Sequence, residues 1–285
     1  MRVAIIGANG LLGSALKRHL IEKKIEFLPL LHKDFDITNE NDYSKILDFK
    51  PDVVINTAAY LGVEPCEARP MKAFEINSLA VANLARFCEK NSIILAYIST
   101  DAVFDGKTGN YDEDSMPNPL NMYGLTKYNG EIMTRNLCPK HYIFRIPILF
   151  GKRENKGNIF IEKMYNLYLK GNKELKIADD VINRPSYNID IAGIILDIIL
   201  NNYEFGIYHV FNDGKASLYD FAVEFFKQKG IIDIKIERAK AKDFAKNEKG
   251  KKPLNTTLIS KKIKPLRHWK EAMKEFILSL KNENY

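Results

Sequence analysis

In the stretch NMYGLTKYNGE, Tyr123 and Lys127 are four residues apart, so on a helix the phenol and the ammonium lie one turn above the other on one face. A phenol near its ordinary pKa of about 10 is poorly matched to proton transfer at neutral pH, and a neighbouring ammonium favours the phenolate. The pair can serve as a general acid or base, although the same spacing is common on solvated helix faces. A second candidate comes from ISTDAVFDG, where a strand-like run ends at Ser99 and Thr100 and is followed by Asp101 and Ala102. Adjacent strand residues point to opposite faces, so only one of the two hydroxyls can share a ligand with Tyr123.

These residues need a scaffold that brings strand ends together, and the chain opens with one. MRVAII is strand-like and runs directly into GANGLLG, with Gly7, Gly10 and Gly13 at three-residue spacing. Glycines there allow a tight turn, let a pyrophosphate approach the backbone and let the following helix pack against the sheet. Asn9, Leu11 and Leu12 complete that turn and the helix start. The next strand ends EFLPLLHKD. An NAD site usually carries an acid there, whereas His32 and Lys33 would favour the extra phosphate of NADP; Asp34 is near enough to keep NADH open. Asp36, in DFDIT, is a candidate for the adenine edge or for capping the next helix. The third strand ends in NTAAY, where Thr57, Ala58 and Ala59, followed by Tyr60, leave room for a flat ligand.

Strand-like and helix-like patterns alternate: strands at 3–6, 26–30, 53–56, 93–99 and within YIFRIPILF, with helices at 11–23, 40–49 and 70–90 and around Tyr123. This order predicts an α/β fold, a Rossmann-type doubly wound parallel sheet with ligands at the carboxyl ends of its strands. After Gly151 the order loosens, with strands at 175–178 and 207–211 and helices at 189–199, 218–229 and 269–281. Residues 1–151 are expected to form a dinucleotide-binding domain that takes back at least one later strand, and 152–285 mainly a smaller substrate-binding part.

No apolar run approaches the length of a membrane span, and the N-terminus does not read as a signal peptide, so a cytoplasmic protein without membrane association is expected. Cys66, Cys88 and Cys138 lack metal-ligand spacing and read as free thiols; no metal is expected. The net charge of +7 suits anionic small ligands. The basic run KAKDFAKNEKGKK lacks aromatic interleaving and reads as a solvated loop, so nucleic acid is not an expected partner.

A glycine-rich strand-to-helix turn, a hydroxyl at a central strand end and Tyr-x-x-x-Lys about twenty residues later together resemble the extended short-chain dehydrogenase/reductase family. PDVVINTAAY, STDAVFDG, NPLNMYGLTKYNGE, PKHYIFR, GIYHVFNDGKASLYDFA and KKPLNTTL are similar, in order, to blocks of its dTDP-4-dehydrorhamnose reductase branch. The resemblance implies a reductase of a nucleotide-linked 4-keto-6-deoxy sugar for surface polysaccharide, using NADPH, with a homodimer as a state it allows. It makes Tyr123 the general acid or base and has Lys127 hold the nicotinamide ribose and lower the Tyr123 pKa. Thr100 then binds the substrate carbonyl, with Asp101 and Ala102 beside the sugar. The sequence departs from the branch at Ala102, at Ile146 and Pro147, at Arg184, Pro185 and Ser186, and at Lys252, positions around the sugar and nucleotide. Arg184 has the planar fork that suits a diphosphate, or it pairs with a surface carboxylate. Glu64 and Glu67 either orient the sugar or favour a helix start. Two alternatives remain: a nucleotide-sugar epimerase or dehydratase that holds NAD tightly, and a non-catalytic binding protein like the regulatory subunit of methionine adenosyltransferase.

Overall fold

VAII, VVIN and HYIFRI are buried from end to end, the pattern of strands covered on both faces by helices. The computed structural model describes residues 1–154, 159–244 and 250–281. Its first half runs β1 (Val3–Ile6), α1 (Leu11–Glu22), β2 (Phe27–Leu30), α2 (Ser44–Phe49), β3 (Val53–Asn56), α3 (Val63–Ala68), α4 (Pro70–Phe74), α5 (Ala80–Lys90), β4 (Ile94–Thr100), α6 (Met122–Leu137) and β5 (His141–Ile146). The rest runs β6 (Leu149–Phe150), α7 (Phe160–Leu169), β7 (Glu174–Ala178), β8 (Ile182–Asn183), β9 (Ser186–Tyr187), α8 (Asn188–Leu200), β10 (Gly206–His209), β11 (Asn212–Asp213) and β12 (Ala216–Ser217). It ends with α9 (Leu218–Lys229), β13 (Lys235–Ala239), α10 (Ala241–Phe244), β14 (Leu266–His268) and α11 (Trp269–Lys281).

The expected parallel sheet is present, with six strands in the order β10-β5-β4-β3-β1-β2. The order reverses between β1 and β3, which opens the crevice where such sheets bind ligands. Leu12, Leu16 and Leu20 of α1 and Ile191, Ile195 and Ile198 of α8 fill one face, and Ile46, Leu84 and Cys88 fill the other. A second core of Phe150, Phe221, Phe225, Trp269, Met273 and Phe276 lies under α9 and α11.

Three local departures from the sequence reading bear on the site. YIFRIPILF is not one strand: the β5 ladder stops at Ile146, Pro147 has no N–H to continue it, and Leu149–Phe150 pair with Ser186–Tyr187 in a separate sheet. The helix expected over 70–90 is interrupted by a π-helical turn at Glu75–Leu79. Asn77 and Ser78 in that turn hydrogen-bond Thr126 Oγ1 and the Thr126 carbonyl of α6, an irregularity of the kind that re-aims side chains at functional sites. The elements α3, α7 and β13 were not read from the sequence.

The first turn of α6 packs close to the loop after β4. A Cβ on Gly124 would lie 2.2 Å from the Ala102 carbonyl oxygen, so only glycine permits that approach. Further along, Glu131 is clamped to β5 by Arg145, whose Nε and Nη2 donate to the carboxylate at 3.0 and 2.7 Å with both side chains buried. Ser99 donates to the same carboxylate from β4. Arg145 Nη1 is 3.3 Å from His209 Nε2, and His209 Nδ1 faces the carbonyls of Tyr111 and Ile259. Those two carbonyls require the ring proton on Nδ1, so Nε2 accepts from Arg145. Burial and the Arg145 charge push the imidazole pKa down to about 4.

Removing one member of a buried ion pair strands the other charge in the core. Glu131→Gln is therefore expected to destabilise the protein by about 3–5 kcal/mol, and adding Arg145→Met to that variant should recover part of the loss. Urea unfolding of the two variants checks this, and a single variant as stable as the parent would remove the pair as the clamp of α6.

Candidate functional site

The glycine turn forms a cradle open on one side. Gly7 has a φ of +80°, and a Cβ there would meet Thr57 Oγ1 at 2.8 Å. A Cβ on Gly13 would lie 2.4 Å from the Gly7 carbonyl oxygen, so α1 can press onto the turn only because Gly13 has no side chain. A Cβ on Gly10 would meet only that same carbonyl, at 3.2 Å, which leaves the outer side of the turn open to a ligand. The N-terminus of α1 has no side-chain cap and no acid in its first turn, so its positive end is available to an anion. Leu12 is buried and serves packing; Asn9 and Leu11 are partly exposed at the rim. This geometry fits the pyrophosphate of a dinucleotide.

Across the crevice, the Thr57 hydroxyl donates to the carbonyls of Ile6 and Gly7 and braces the turn. Ala58, Ala59 and Tyr60 continue along the edge partly exposed, and both backbone polar groups of Tyr60 bond the Asn77 side chain. Past β2, His32 and Lys33 are exposed. Asp36 closes a turn by accepting from the backbone and hydroxyl of Thr38, and those two bonds hold its pKa below the ordinary value. One carboxylate oxygen is committed to that turn.

The candidate catalytic groups converge at the carboxyl end of β4. Ser99 is committed to Glu131, so Thr100 is the hydroxyl that faces Tyr123. Burial raises the Tyr123 phenol well above its ordinary pKa, opposed by its hydrogen bond with Thr100 and reinforced by the Asp101 charge and by Cys66. Thr100 Oγ1 also donates to Asp101 Oδ1 and accepts from the Ala102 amide, while Thr256 donates to Asp101 Oδ2. Burial pushes the Asp101 carboxyl up to about 6 against those two hydroxyls. Lys127 donates to the Ile98 carbonyl at 2.6 Å and lies 4.0 Å from the Tyr97 ring centroid. Burial lowers its pKa to about 7, with the Glu131 charge opposing. Lys127 is not among the groups that shift the Tyr123 phenol.

Glu67 accepts from the Met122 amide at 2.8 Å, at the start of α6, and Glu64 is exposed. Arg184 donates to Asp213 at 2.9 Å, lies over Phe211 and is 8 % exposed, so its fork is engaged with a carboxylate.

The cations that do face open space are lysines. A cleft of about 1250 Å³ is walled by Lys107, Lys163, Lys176, Lys242 and Lys251 together with Phe160, Met164, Val181, Leu218 and Phe244. It reaches Leu120, three residues before Tyr123. The basic run read as a solvated loop supplies part of this wall through Lys240, Lys242, Lys251 and Lys252; its residues 245–249 lie outside the described residues. The sequence signal was present in the lysine count, but only the fold shows that β7, α10 and the segment after Gly250 face one another. Among the described residues no group of three or more His, Cys, Asp or Glu could hold a metal ion, and no helix is long and apolar enough to cross a membrane.

With this geometry in hand, known proteins sharpen the assignment. A dTDP-4-dehydrorhamnose reductase from Aggregatibacter actinomycetemcomitans is 36% identical over 235 residues, 80% of this chain and 79% of that one. The structure of a dTDP-4-dehydrorhamnose reductase from Clostridium acetobutylicum superposes with a TM-score of 0.91 at 35% identity, covering 99% of this chain and 100% of that one. The Bacillus anthracis dTDP-4-dehydrorhamnose reductase in complex with NADP gives 0.90 at 30% identity, over 98% and 99%. Methionine adenosyltransferase 2 subunit beta from Xenopus tropicalis is 31% identical over 231 residues, 77% of this chain and 69% of that protein. The model of the family described as RmlD substrate binding domain matches residues 1–282, and the chain belongs to that family.

Proposed function

We propose that the chain is an NADPH-preferring reductase of a nucleotide-linked 4-keto-6-deoxy sugar, of the dTDP-4-dehydrorhamnose reductase kind, acting in the cytoplasm in surface polysaccharide synthesis. The observation that carries this reading is the half-buried Tyr123 set beside Thr100 at the end of β4, together with an open glycine cradle and a lysine-walled cleft. Relatives named as dTDP-4-dehydrorhamnose reductases, one of them in complex with NADP, support it.

The backbone of Gly7 to Gly13 would hold the pyrophosphate of the dinucleotide, with Thr57 to Tyr60 along its other edge, and exposed His32 and Lys33 would favour the extra phosphate of NADPH. When bound, the nicotinamide supplies the hydride for carbonyl reduction. The lysines of the cleft hold the sugar's diphosphate, and Phe160 and Phe244 offer apolar surface to the base. Tyr123 is protonated at neutral pH and would donate its phenol proton to the oxygen that gains negative charge. Thr100, whose hydroxyl would turn from Asp101 toward the substrate, would donate to the same oxygen and stabilise that charge as it forms. Lys127, with a pKa near neutrality, would hold the nicotinamide ribose hydroxyls.

The likeness to methionine adenosyltransferase 2 subunit beta favours a second reading, a non-catalytic dinucleotide-binding subunit. Thr100, Tyr123 and Lys127 grouped at one strand end argue for catalysis, and turnover separates the two.

NADPH oxidation, followed by absorbance with freshly made dTDP-, GDP- and CDP-linked 4-keto-6-deoxy sugars and with NADH in parallel, is expected to show turnover of the dTDP sugar, faster with NADPH. Silence on all of them despite NADPH binding would transfer the case to the binding-subunit reading. Tyr123→Phe should lose about 10²–10⁴-fold in kcat while its NADPH dissociation constant stays that of the parent; near-parent turnover would exclude Tyr123 as proton donor.

Asp101 gives a pH test. Its native pKa, about 6, exceeds the ordinary 3.8, so the folded protein binds this proton more tightly than the unfolded chain. The stabilisation it provides is present below the ordinary value and is lost as pH rises through about 4 to 6. Asp101→Asn removes that dependence, so its stability relative to the parent should rise by about 2 kcal/mol between pH 4 and pH 7. Urea unfolding of both proteins across that range measures the difference, and a constant gap would show that Asp101 does not titrate there.

A further inference from the structure

Asn121 is the N-cap of α6, two residues before Tyr123, and each half of its amide has a different partner. Oδ1 accepts from the Gly124 amide at 2.9 Å and caps the helix; Nδ2 donates to the Lys251 carbonyl at 2.9 Å. The side chain is buried, and its own carbonyl accepts from Leu125. Capping alone does not call for asparagine, since Asp or Ser satisfies the same amide. Only the carboxamide accepts from one partner and donates to another through separate atoms, and its donor holds the chain at one wall of the cleft.

That wall is fastened along its length. Gly250, with a φ of +89°, is seated so that a Cβ would lie 2.7 Å from Glu67 Cγ and 2.8 Å from Val63 Cγ1. Pro253 and Leu254 press on Gly106, the Asn255 amide donates to the Gly106 carbonyl, and Thr256 donates to Asp101. Gly250, Lys251, Lys252, Leu254 and Asn255 all line the cleft. Between the contacts at Gly250 and Pro253, the Lys251 carbonyl is tied to the catalytic helix itself.

We propose that Asn121 is a positioning residue that latches the lysine-bearing wall of the nucleotide-sugar cleft to the helix of the proton donor. The identity of the ligand rests on the reductase reading above. With the latch made, the Lys251 backbone is fixed relative to Tyr123 before the diphosphate arrives. Without it, binding must also order the wall, and affinity falls.

Asn121→Asp keeps a capping oxygen and has no donor, and Asn121→Ser keeps a capping oxygen on a side chain too short to reach the Lys251 carbonyl as well. Each is expected to retain the parent's melting temperature and NADPH affinity, to bind dTDP about tenfold more weakly by calorimetry, and to raise KM for the 4-keto sugar in parallel while kcat stays within about twofold of the parent. Hydrogen exchange at the amides of residues 250–256 should accelerate, with α6 unchanged. Parent-like exchange in that segment, or parent-like dTDP affinity in a folded variant, overturns the proposal, as does a fall in kcat at constant KM. A parent that binds dTDP but reduces no 4-keto sugar would sink the reductase reading, and the affinity difference between parent and variants would still decide for or against the latch.

Discussion

The buried bond between Glu131 and Arg145 fixes where α6 can lie. Glu131 is four residues beyond Lys127 and eight beyond Tyr123, so a helix held by its carboxylate to β5 and, through Ser99, to β4 cannot slide or rotate without unpairing a charge in the core. The other contacts of α6 refine that placement. Gly124 lets its first turn meet the loop after β4, and Asn77 and Ser78 hold its middle from the π-helical turn. Tyr123 meets Thr100 because a polar clamp sits deeper in the same interface.

The site is assembled from both halves of the chain, and each half contributes a different chemistry. The carboxyl ends of β1, β3 and β4 supply backbone amides, small residues and buried hydroxyls, suited to a flat cofactor and to proton transfer. The later elements supply exposed lysines and apolar side chains around an open cleft, suited to phosphates and a base. The segment from Gly250 to Thr256 touches both, through Asn121 at one end and Asp101 at the other.

What the sequence disclosed followed from locality. Gly7, Gly10 and Gly13 are neighbours in one turn, and Tyr123 and Lys127 are neighbours on one helix, so their spacing carries their geometry. The parallel sheet was likewise legible, because short apolar runs such as VAII leave few other ways to be buried. The partners of those residues were not legible. Arg184 suited a diphosphate and a carboxylate equally until the fold set Asp213 beside it, and the lysines near the C-terminal end looked solvated until the fold set them around one cleft with β7. Glu67 could be placed near a helix start, but not at the start of α6, fifty-five residues away. The π-helical turn escaped because one extra residue in a helical turn leaves the apolar pattern of 70–90 almost unchanged.

The sixth strand of the sheet has a consequence for synthesis on the ribosome. β10 pairs with β5 although about 60 residues separate them, and its His209 is the ring that takes the third donor group of Arg145. When β5 has emerged and β10 has not, the growing chain carries an unpaired strand edge, largely apolar, on which Arg145 lacks one of its partners. Such an edge is a template for pairing with other chains. Until residue 209 emerges, the nascent sheet is therefore short of one strand and of one buried hydrogen bond.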